Sequence, residues 1–245
     1  EERNSKLYQV GKDYLYAQAA KSLNGQNFFV WPKEDQHSVN DFIESAGRED
    51  WEPTKLLIPL LGFHQVQNAA TAYTVLMVLR QTGIKISDES IRKGFEHVEW
   101  PGRFEILNRR PFVVIDSAHN RESALRLRNA IDDYFPGIPI ILVFGASEDK
   151  DIDGMLVELL PRVKMVITTK SIHPRAISPE GLVDKANQMG VRAIPTQSLE
   201  EAFDKALELA GKENLILITG SIFVAGGMRD VWFDIQKRNG VSKGI

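Results

Sequence analysis

From about Phe104 to the end of the chain, apolar and polar positions predict strands and helices in regular alternation. Short apolar runs at 104–108 and 112–116 flank a polar turn and predict a hairpin. The strands predicted after it are 139–144, 163–169, 192–195 and 215–219, and the helices are 122–135, 153–160, 179–189, 199–210 and 224–237. Strands that are apolar on both faces indicate an α/β fold with a mostly parallel, Rossmann-like sheet and helices on both faces.

The first 102 residues follow a different pattern, in which strand candidates are separated by polar stretches. These candidates are Leu7–Tyr16, Asn27–Trp31 and Leu56–Leu60. Helices are predicted at His64–Gln81 and Asp88–His97, and Ser87 is a good N-cap for the second. The first 60 residues contain no clear helix, so we expect them to need another surface to pack against. The pattern breaks at residues 99–102, and we expect a domain boundary near Gly102.

Composition and charge narrow the class of protein. The 245 residues include no cysteine, which excludes a disulfide scaffold, a thiol nucleophile and a cysteine zinc site, and fits a reducing cytosol. The net charge of −3 comes from 30 basic and 33 acidic residues, without the basic excess of a nucleic-acid-binding protein. The longest apolar run, Leu56–Phe63, is far shorter than the ~20 residues that span a bilayer. We therefore expect a cytoplasmic protein that binds neither nucleic acid nor membrane.

Four predicted strands are followed by polar or small residues, at the ends where parallel α/β sheets bind ligands. Asp116 ends an apolar strand, where a carboxylate has little structural purpose and suits ribose hydroxyls or a metal-bound water. The loop with Ser147 can bring backbone N–H groups to an anion. His173 and Arg175 follow the next strand, where a solvated charged loop is the alternative interpretation. Ser221 follows the last strand and has a hydroxyl that could donate to a carboxylate.

Two more candidates lie outside these strand ends. Asn68 lies on the first turn of a predicted helix, where an amide offers both donor and acceptor to an adenine edge. A helix cap with a polar surface is the alternative there. Arg103 follows a Pro-Gly turn and has a planar fork that suits phosphate oxygens, although a linker arginine in a surface ion pair is the preferred interpretation of this motif taken alone. Asn120 and Asp151 are expected to cap the helices that follow them.

Six motifs, taken together and in order, resemble a known family. They are LGFHQVQNA, WPGRFE, VVIDSAHN, VFGASEDKD, HPRA and TGS, between about Leu60 and Asp230. The set resembles folylpolyglutamate synthase/dihydrofolate synthase, the folate branch of the Mur ligase superfamily. The His-Gln pair and the Pro-Arg-Ala segment favour the folate branch over the cell-wall ligases.

This resemblance implies an ATP-dependent ligase that converts a folate or dihydropteroate carboxylate to an acyl phosphate, which the amino group of L-glutamate then attacks. It implies that residues 1–102 are the C-terminal remnant of a P-loop ATPase domain and residues 103–245 the Mur ligase C-terminal, glutamate-ligase domain. The residues implied to bind ATP are Asn68, Arg103, Asp116 and His119. Those implied to line the glutamate side are Ser147, His173, Arg175 and Ser221.

The sequence departs from the family pattern at two points. Ser117 stands where the family usually has glycine, which matters only if the backbone there needs a positive φ. A G-x-x-x-x-G-K-[S/T] phosphate loop is absent, because neither Gly11-Lys12 nor Gly211-Lys212 precedes serine or threonine. We therefore expect a fragment that lacks the P-loop and the Mg²⁺ ligands, is inactive alone, and needs the N-terminal P-loop region of the same protein. The start at Glu1, without methionine, fits this expectation.

Two other interpretations stay open at this point. One is another Mur-type amide ligase, acting on a cell-wall precursor or a cyanophycin-like peptide. The other is a non-catalytic nucleotide- or amino-acid-binding module, because a Rossmann-like fold does not fix function. An NAD oxidoreductase is disfavoured, because no G-x-G-x-x-G opens a βαβ unit.

Overall fold

The computed structural model describes residues 6–48 and 51–238, so the chain start considered above lies outside the described residues. The chain divides after Trp100 into two compact units. That division falls two residues before the boundary expected at Gly102.

Within its described residues, the first unit combines a small antiparallel sheet with three α-helices. The strands, in the order β1-β2-β3, are β1 (Tyr14–Ser22), β2 (Gly25–Pro32) and β3 (Thr54–Ile58), and the helices are α1 (Gln36–Glu44), α2 (Phe63–Gln81) and α3 (Asp88–Glu96). Phe28 of β2 and Ile58 of β3 are almost completely buried against Val66 of α2 and Phe95 of α3. The strands of the first 60 residues thus obtain the packing surface that they were expected to need.

The predicted strand Leu7–Tyr16 is mostly wrong. A turn precedes the sheet, in which the Gly11 N–H donates to the Tyr14 carbonyl at 2.7 Å. β1 begins only at Tyr14 and, after Tyr16, continues to Ser22 through a segment of alanines and polar residues that contains no large apolar side chain. Because β1 lies at the edge of the sheet and exposes most of its later residues, its sequence carries little apolar signal.

The expectation of no helix in the first 60 residues is also wrong, because α1 lies there. This helix buries only Val39. A nine-residue segment with one buried side chain has no apolar stripe long enough to predict a helix. The predicted α2 and α3 are confirmed to within a residue at each end, and Ser87 caps α3 by accepting the Ser90 N–H.

The second unit is built around a six-stranded sheet. Its strands are β4 (Glu105–Arg109), β5 (Phe112–Ile115), β6 (Ile140–Phe144), β7 (Val163–Thr168), β8 (Ala193–Pro195) and β9 (Leu215–Thr219), and its helices are α4 (Arg121–Tyr134), α5 (Ile152–Leu159), α6 (Pro179–Gln188), α7 (Leu199–Ala210) and α8 (Ile222–Arg238). The spatial order is β4-β5-β9-β6-β7-β8. β4 pairs with β5 as the predicted antiparallel hairpin, and the other pairings are parallel.

Both faces of this sheet are covered, which confirms the predicted fold class. In β9, Ile216 and Ile218 join a core cluster with Phe203 of α7 and Met228 of α8. Leu217 points to the opposite face, because side chains alternate along a strand, and it is equally buried. Since β9 lies in the middle of the sheet, ligands can approach its residues only at the strand end.

Gly145 and Gly220 let the backbones of neighbouring strand-end loops touch. A Cβ on Gly220 would lie 2.5 Å from the Gly145 carbonyl oxygen, and a Cβ on Gly145 would lie 2.5 Å from the Thr169 carbonyl oxygen. Real Cβ atoms do not approach backbone oxygens this closely, so the packing requires glycine at both positions.

Replacing Gly145 with alanine should therefore destabilise the protein by about 1–3 kcal/mol, the usual cost of overpacking. Gly226→Ala is the matched control, because its Cβ would meet no atom within 4 Å and it lies inside α8. Alanine there should be neutral or stabilise by up to ~1 kcal/mol through helix propensity. Urea unfolding of the whole chain, followed by circular dichroism, compares the two variants. Equal midpoints would contradict the close backbone contact.

Candidate functional site

The loops that follow β5, β9, β6 and β7 are joined backbone to backbone at the carboxyl edge of the sheet. The Gly220 N–H donates to the Ala118 carbonyl at 3.2 Å, and the Gly145 N–H donates to the Thr219 carbonyl at 3.3 Å. The Thr169 N–H donates to the carbonyl of Phe144, the last residue of β6, at 3.0 Å. The predicted strand-end residues therefore share one edge of one sheet.

The side chain of Asp116 lies at the end of β5 and is only 7% exposed. Its Oδ2 accepts the Phe104 N–H at 2.9 Å, and its Oδ1 accepts the Ala118 N–H at 2.8 Å. The expectation that a carboxylate here has little structural purpose is wrong, because this one connects two loops. Burial raises the pKa of Asp116, while the two N–H donors and the charges of Arg103 and His119 oppose the rise.

Arg103 lies in a loop whose backbone is fixed on both sides. The Gly102 carbonyl accepts the Ser117 N–H at 2.9 Å and the Ser117 hydroxyl at 2.5 Å. Phe104 has a φ of +44°, an uncommon backbone conformation for a residue with a side chain, and its bond to Asp116 holds it there. The Arg103 side chain is half-buried and, among the described residues, forms no ion pair with a carboxylate.

The serine at position 117 is compatible with the local backbone. Ser117 is not among the described residues with a positive φ, so a side chain costs nothing there. Its hydroxyl gains the bond to Gly102 that a glycine could not make. The departure from the family pattern therefore preserves the turn and adds a contact within the Arg103 loop.

His119 and Asn120 begin the segment that leads into α4. His119 is exposed, and its Nδ1 lies 3.1 Å from the Ser117 carbonyl oxygen, so a proton on Nδ1 donates to that oxygen. Asn120 accepts the Ser123 N–H at 2.8 Å and completes a capping box, which confirms its predicted capping role. Asp151 likewise caps α5 by accepting the Gly154 N–H at 2.9 Å.

The loops after β6 and β7 bring Ser147 and Arg175 close together. Ser147 is buried and its backbone pairs with that of Ala176, while the Glu148 N–H donates to the Arg175 carbonyl at 2.9 Å. The exposed Arg175 guanidinium lies 3.5 Å from an Asp149 carboxylate oxygen. This carboxylate competes with any anionic ligand for Arg175.

His173 and Ser221 border the start of α8. The His173 ring stacks on Phe223, with centroids 4.4 Å apart, and its Nδ1 accepts the Arg175 N–H at 3.2 Å. The buried Ser221 hydroxyl oxygen accepts the Val224 N–H at 3.1 Å, which leaves its own proton to be donated. Phe223 was not predicted from the sequence, and nothing local indicates that it would stack on a residue 50 positions away.

Asn68 lies in the first unit, and the remaining candidate residues lie in the second. Its Nδ2 donates to the buried Gln65 Oε1 at 3.1 Å, so the two amides share the first turns of α2. Both line a cavity of about 580 Å³ whose other walls are mainly apolar side chains, including Leu76 and Phe95. An amide at the wall of an apolar cavity is an arrangement that can orient a flat, polar-edged ring.

The family model described as Mur ligase, glutamate ligase domain, matches residues 102–222. This segment belongs to the Mur ligase family. The match runs from the Arg103 loop through the end of β9, and so contains the whole hydrogen-bonded edge of the sheet.

Beyond the matched segment, the chain is similar to proteins named as folylpolyglutamate or dihydrofolate synthases. It is 34% identical over 184 residues to a probable bifunctional folylpolyglutamate synthase/dihydropteroate synthase of Haloferax volcanii, covering 75% of this chain and 21% of that protein. It is 31% identical over 175 residues to a dihydrofolate synthase/folylpolyglutamate synthase of Bacillus subtilis, covering 69% and 39%. The Mycobacterium tuberculosis folylpolyglutamate synthase complexed with ADP and AMPPCP superposes with a TM-score of 0.73 and 26% identity, covering 91% and 48%. The chain thus spans less than half the length of these relatives.

Two absences hold over residues 6–48 and 51–238. Within them, no three His, Asp or Glu side chains form a group that could hold a metal ion. No helix in the same ranges is long and apolar enough to cross a membrane.

The raised pKa of Asp116 predicts a pH dependence of stability. The folded Mur ligase domain holds the Asp116 proton more tightly than the unfolded chain, in which the usual value is 3.8. The stability that this group contributes is fully present below that value and is lost as pH rises through the folded pKa. The difference in free energy of unfolding between wild type and Asp116→Asn should therefore decrease as pH rises from about 3.5 to 7.

Urea unfolding at each pH measures this difference. Asp184→Asn, at an exposed position on α6, is the matched control for a change of carboxylate to amide. A difference that stays constant or grows with pH for Asp116→Asn would contradict the prediction.

Proposed function

We propose that this chain is the C-terminal portion of a cytoplasmic, ATP-dependent ligase that adds L-glutamate to a carboxylate of folate or dihydropteroate. The observation that carries the proposal is the junction at Asp116, which binds the Arg103 loop to the end of β5 within a Mur ligase domain. The names of the Haloferax and Bacillus relatives support the choice of a folate substrate.

On the nucleotide side, Arg103 contacts the phosphates of ATP. Its guanidinium is held by a rigid loop and carries a charge that no ion pair neutralises within the described residues. Asp116 accepts from a ribose hydroxyl with the lone pairs that its two backbone partners leave over. His119, which is exposed and follows Asp116 by three residues, also contributes to nucleotide binding. The structure of the Mycobacterium relative was determined in complex with ADP and AMPPCP, which supports nucleotide binding by this architecture.

Asn68 contacts the adenine ring. Its Nδ2 is anchored on Gln65, so its Oδ1 is oriented and can accept from the adenine amino group. The apolar cavity beside it provides the low-polarity surface that an aromatic base favours. A volume of about 580 Å³ is ample for one base.

On the glutamate side, His173 and Arg175 provide donors for the substrate carboxylates, and Ser221 donates its hydroxyl proton. The α8 N-terminus adds positive partial charge beside Ser221. Ser147, which is buried in the loop after β6, lines the base of the glutamate site.

In the proposed reaction, the γ-phosphoryl group of ATP is transferred to the substrate carboxylate and ADP leaves. The glutamate amino group, after losing a proton, attacks the acyl carbon and expels inorganic phosphate. Residues of this chain bind and orient ATP and glutamate. Phosphoryl transfer also needs a phosphate loop and Mg²⁺, and the described residues do not fit a metal site. The N-terminal region of the complete enzyme therefore supplies the phosphate loop.

A Mur-type ligase with a different acceptor is the second candidate. The matching family model names a glutamate ligase domain but no acceptor, so a cell-wall precursor or a peptide is compatible with it. A non-catalytic nucleotide- or amino-acid-binding module is the third, and it predicts binding without turnover.

Phosphate release is the assay that separates these functions. The chain alone should release no phosphate from ATP with L-glutamate and dihydropteroate or tetrahydrofolate, because its sequence contains no phosphate loop. The complete enzyme, or this chain mixed with the N-terminal P-loop region, should release phosphate and lengthen the folate by one glutamate. Robust turnover by the chain alone, or turnover only with a nucleotide-peptide acceptor, would overturn the proposal.

Arg103→Ala in the complete enzyme should raise the KM for ATP. Losing charge-assisted hydrogen bonds to phosphate costs roughly 1.5–3 kcal/mol, which corresponds to about a 10- to 150-fold change. Arg110→Ala is the matched control, because Arg110 is exposed in the turn before β5, at the opposite end of that strand. Steady-state kinetics with varied ATP measure both. A change below threefold for Arg103→Ala would leave Arg103 as a linker residue.

A further inference from the structure

Three backbone groups that flank Arg103 are each held by another residue. The Gly102 carbonyl is bound by Ser117, and the Phe104 N–H by Asp116. The Gly102 N–H donates to Glu105 Oε2 at 2.8 Å. These three hydrogen bonds, which we call anchors, fix the backbone from which the Arg103 side chain projects. The third anchor depends on the side chain of Glu105, which can move.

Arg229 on α8 fixes the third anchor. Its Nε lies 2.9 Å and 3.0 Å from the two carboxylate oxygens of Glu105, so Arg229 and the Gly102 N–H share the same carboxylate. The guanidinium also stacks on Phe233, 4.7 Å from the ring centroid. Glu105 and Arg229 are largely shielded, with 22% and 30% of their side chains exposed. A shielded pair with an aromatic backing holds a more definite geometry than a mobile surface pair.

We propose that Arg229 is a positioning residue for Arg103, acting through Glu105 and the Gly102 N–H. This inference rests on the proposed function, in which Arg103 contacts the phosphates of ATP. Arg229 keeps the Glu105 carboxylate on the Gly102 turn. Without Arg229, that carboxylate loses its one ion-pair partner within the described residues, and Arg103, two residues away in the sequence, becomes an alternative. Arg103 would then be drawn from the nucleotide towards a carboxylate two residues away.

Kinetics of the complete enzyme test the proposal. Arg229→Ala should raise the KM for ATP roughly tenfold, which is the low end of the loss seen at metal sites when a residue that orients a metal ligand is removed. The kcat should stay within about twofold of the wild-type value. Arg229→Lys should restore part of the affinity. In an Arg103→Ala background, Arg229→Ala should have no further effect, because residues that act through one another are non-additive. Arg126→Ala, which removes the exposed ion pair with Glu122 on α4, is the matched control.

Amide hydrogen exchange of Gly102 gives a second readout that does not depend on activity. Exchange at Gly102 should accelerate in Arg229→Ala and stay at the wild-type rate in Arg126→Ala. If Arg229→Ala does not fold, Arg229→Lys and Glu105→Gln provide the same comparison. Unchanged exchange at Gly102, or full additivity with Arg103→Ala, would overturn the positioning role. A wild-type enzyme without ATP-dependent ligation would instead refute the proposed function, and Gly102 exchange would still decide whether Arg229 holds the Arg103 loop.

Discussion

The second unit depends on one buried carboxylate that accepts two backbone N–H groups from different loops. Hydrogen bonds to a charged acceptor contribute about 1.5–3 kcal/mol each, but burial of the charge opposes them. Asp116 is therefore stable as a carboxylate only while the Phe104 and Ala118 N–H groups point at it. The same requirement forces Phe104 into its strained backbone conformation and places Arg103 beside the end of β5.

The structural role of Asp116 is compatible with the binding role that we propose for it. The expectation that Asp116 serves a ligand treated a structural role and a binding role as alternatives. The two bonds that fix the carboxylate also orient it, and a binding group needs to be held by its surroundings before the ligand arrives. Ser117 adds to the rigidity of the same junction through its bond to Gly102.

The sequence predicted most of the second unit, because its strands are apolar on both faces and its helices carry clear caps such as Asn120 and Asp151. It also predicted which strand ends carry polar residues, since that follows from where each apolar run stops. Most of the edge strand β1 and the whole helix α1 were missed, because neither buries enough apolar surface to leave a periodic signal. The pairing of Glu105 with Arg229 could not be predicted, because it joins residues 124 positions apart.

The contact between Gly145 and Gly220 has a consequence for how such a site can diversify. Because main-chain atoms fill the floor of this edge, its shape cannot be altered by exchanging side chains there. Variation in what this edge binds must enter through the rim instead, where the His173 and Phe223 rings stack in an accessible position. The fold thus separates a base of main-chain atoms from a rim of side chains, so a binding preference at this edge can change without rebuilding the sheet.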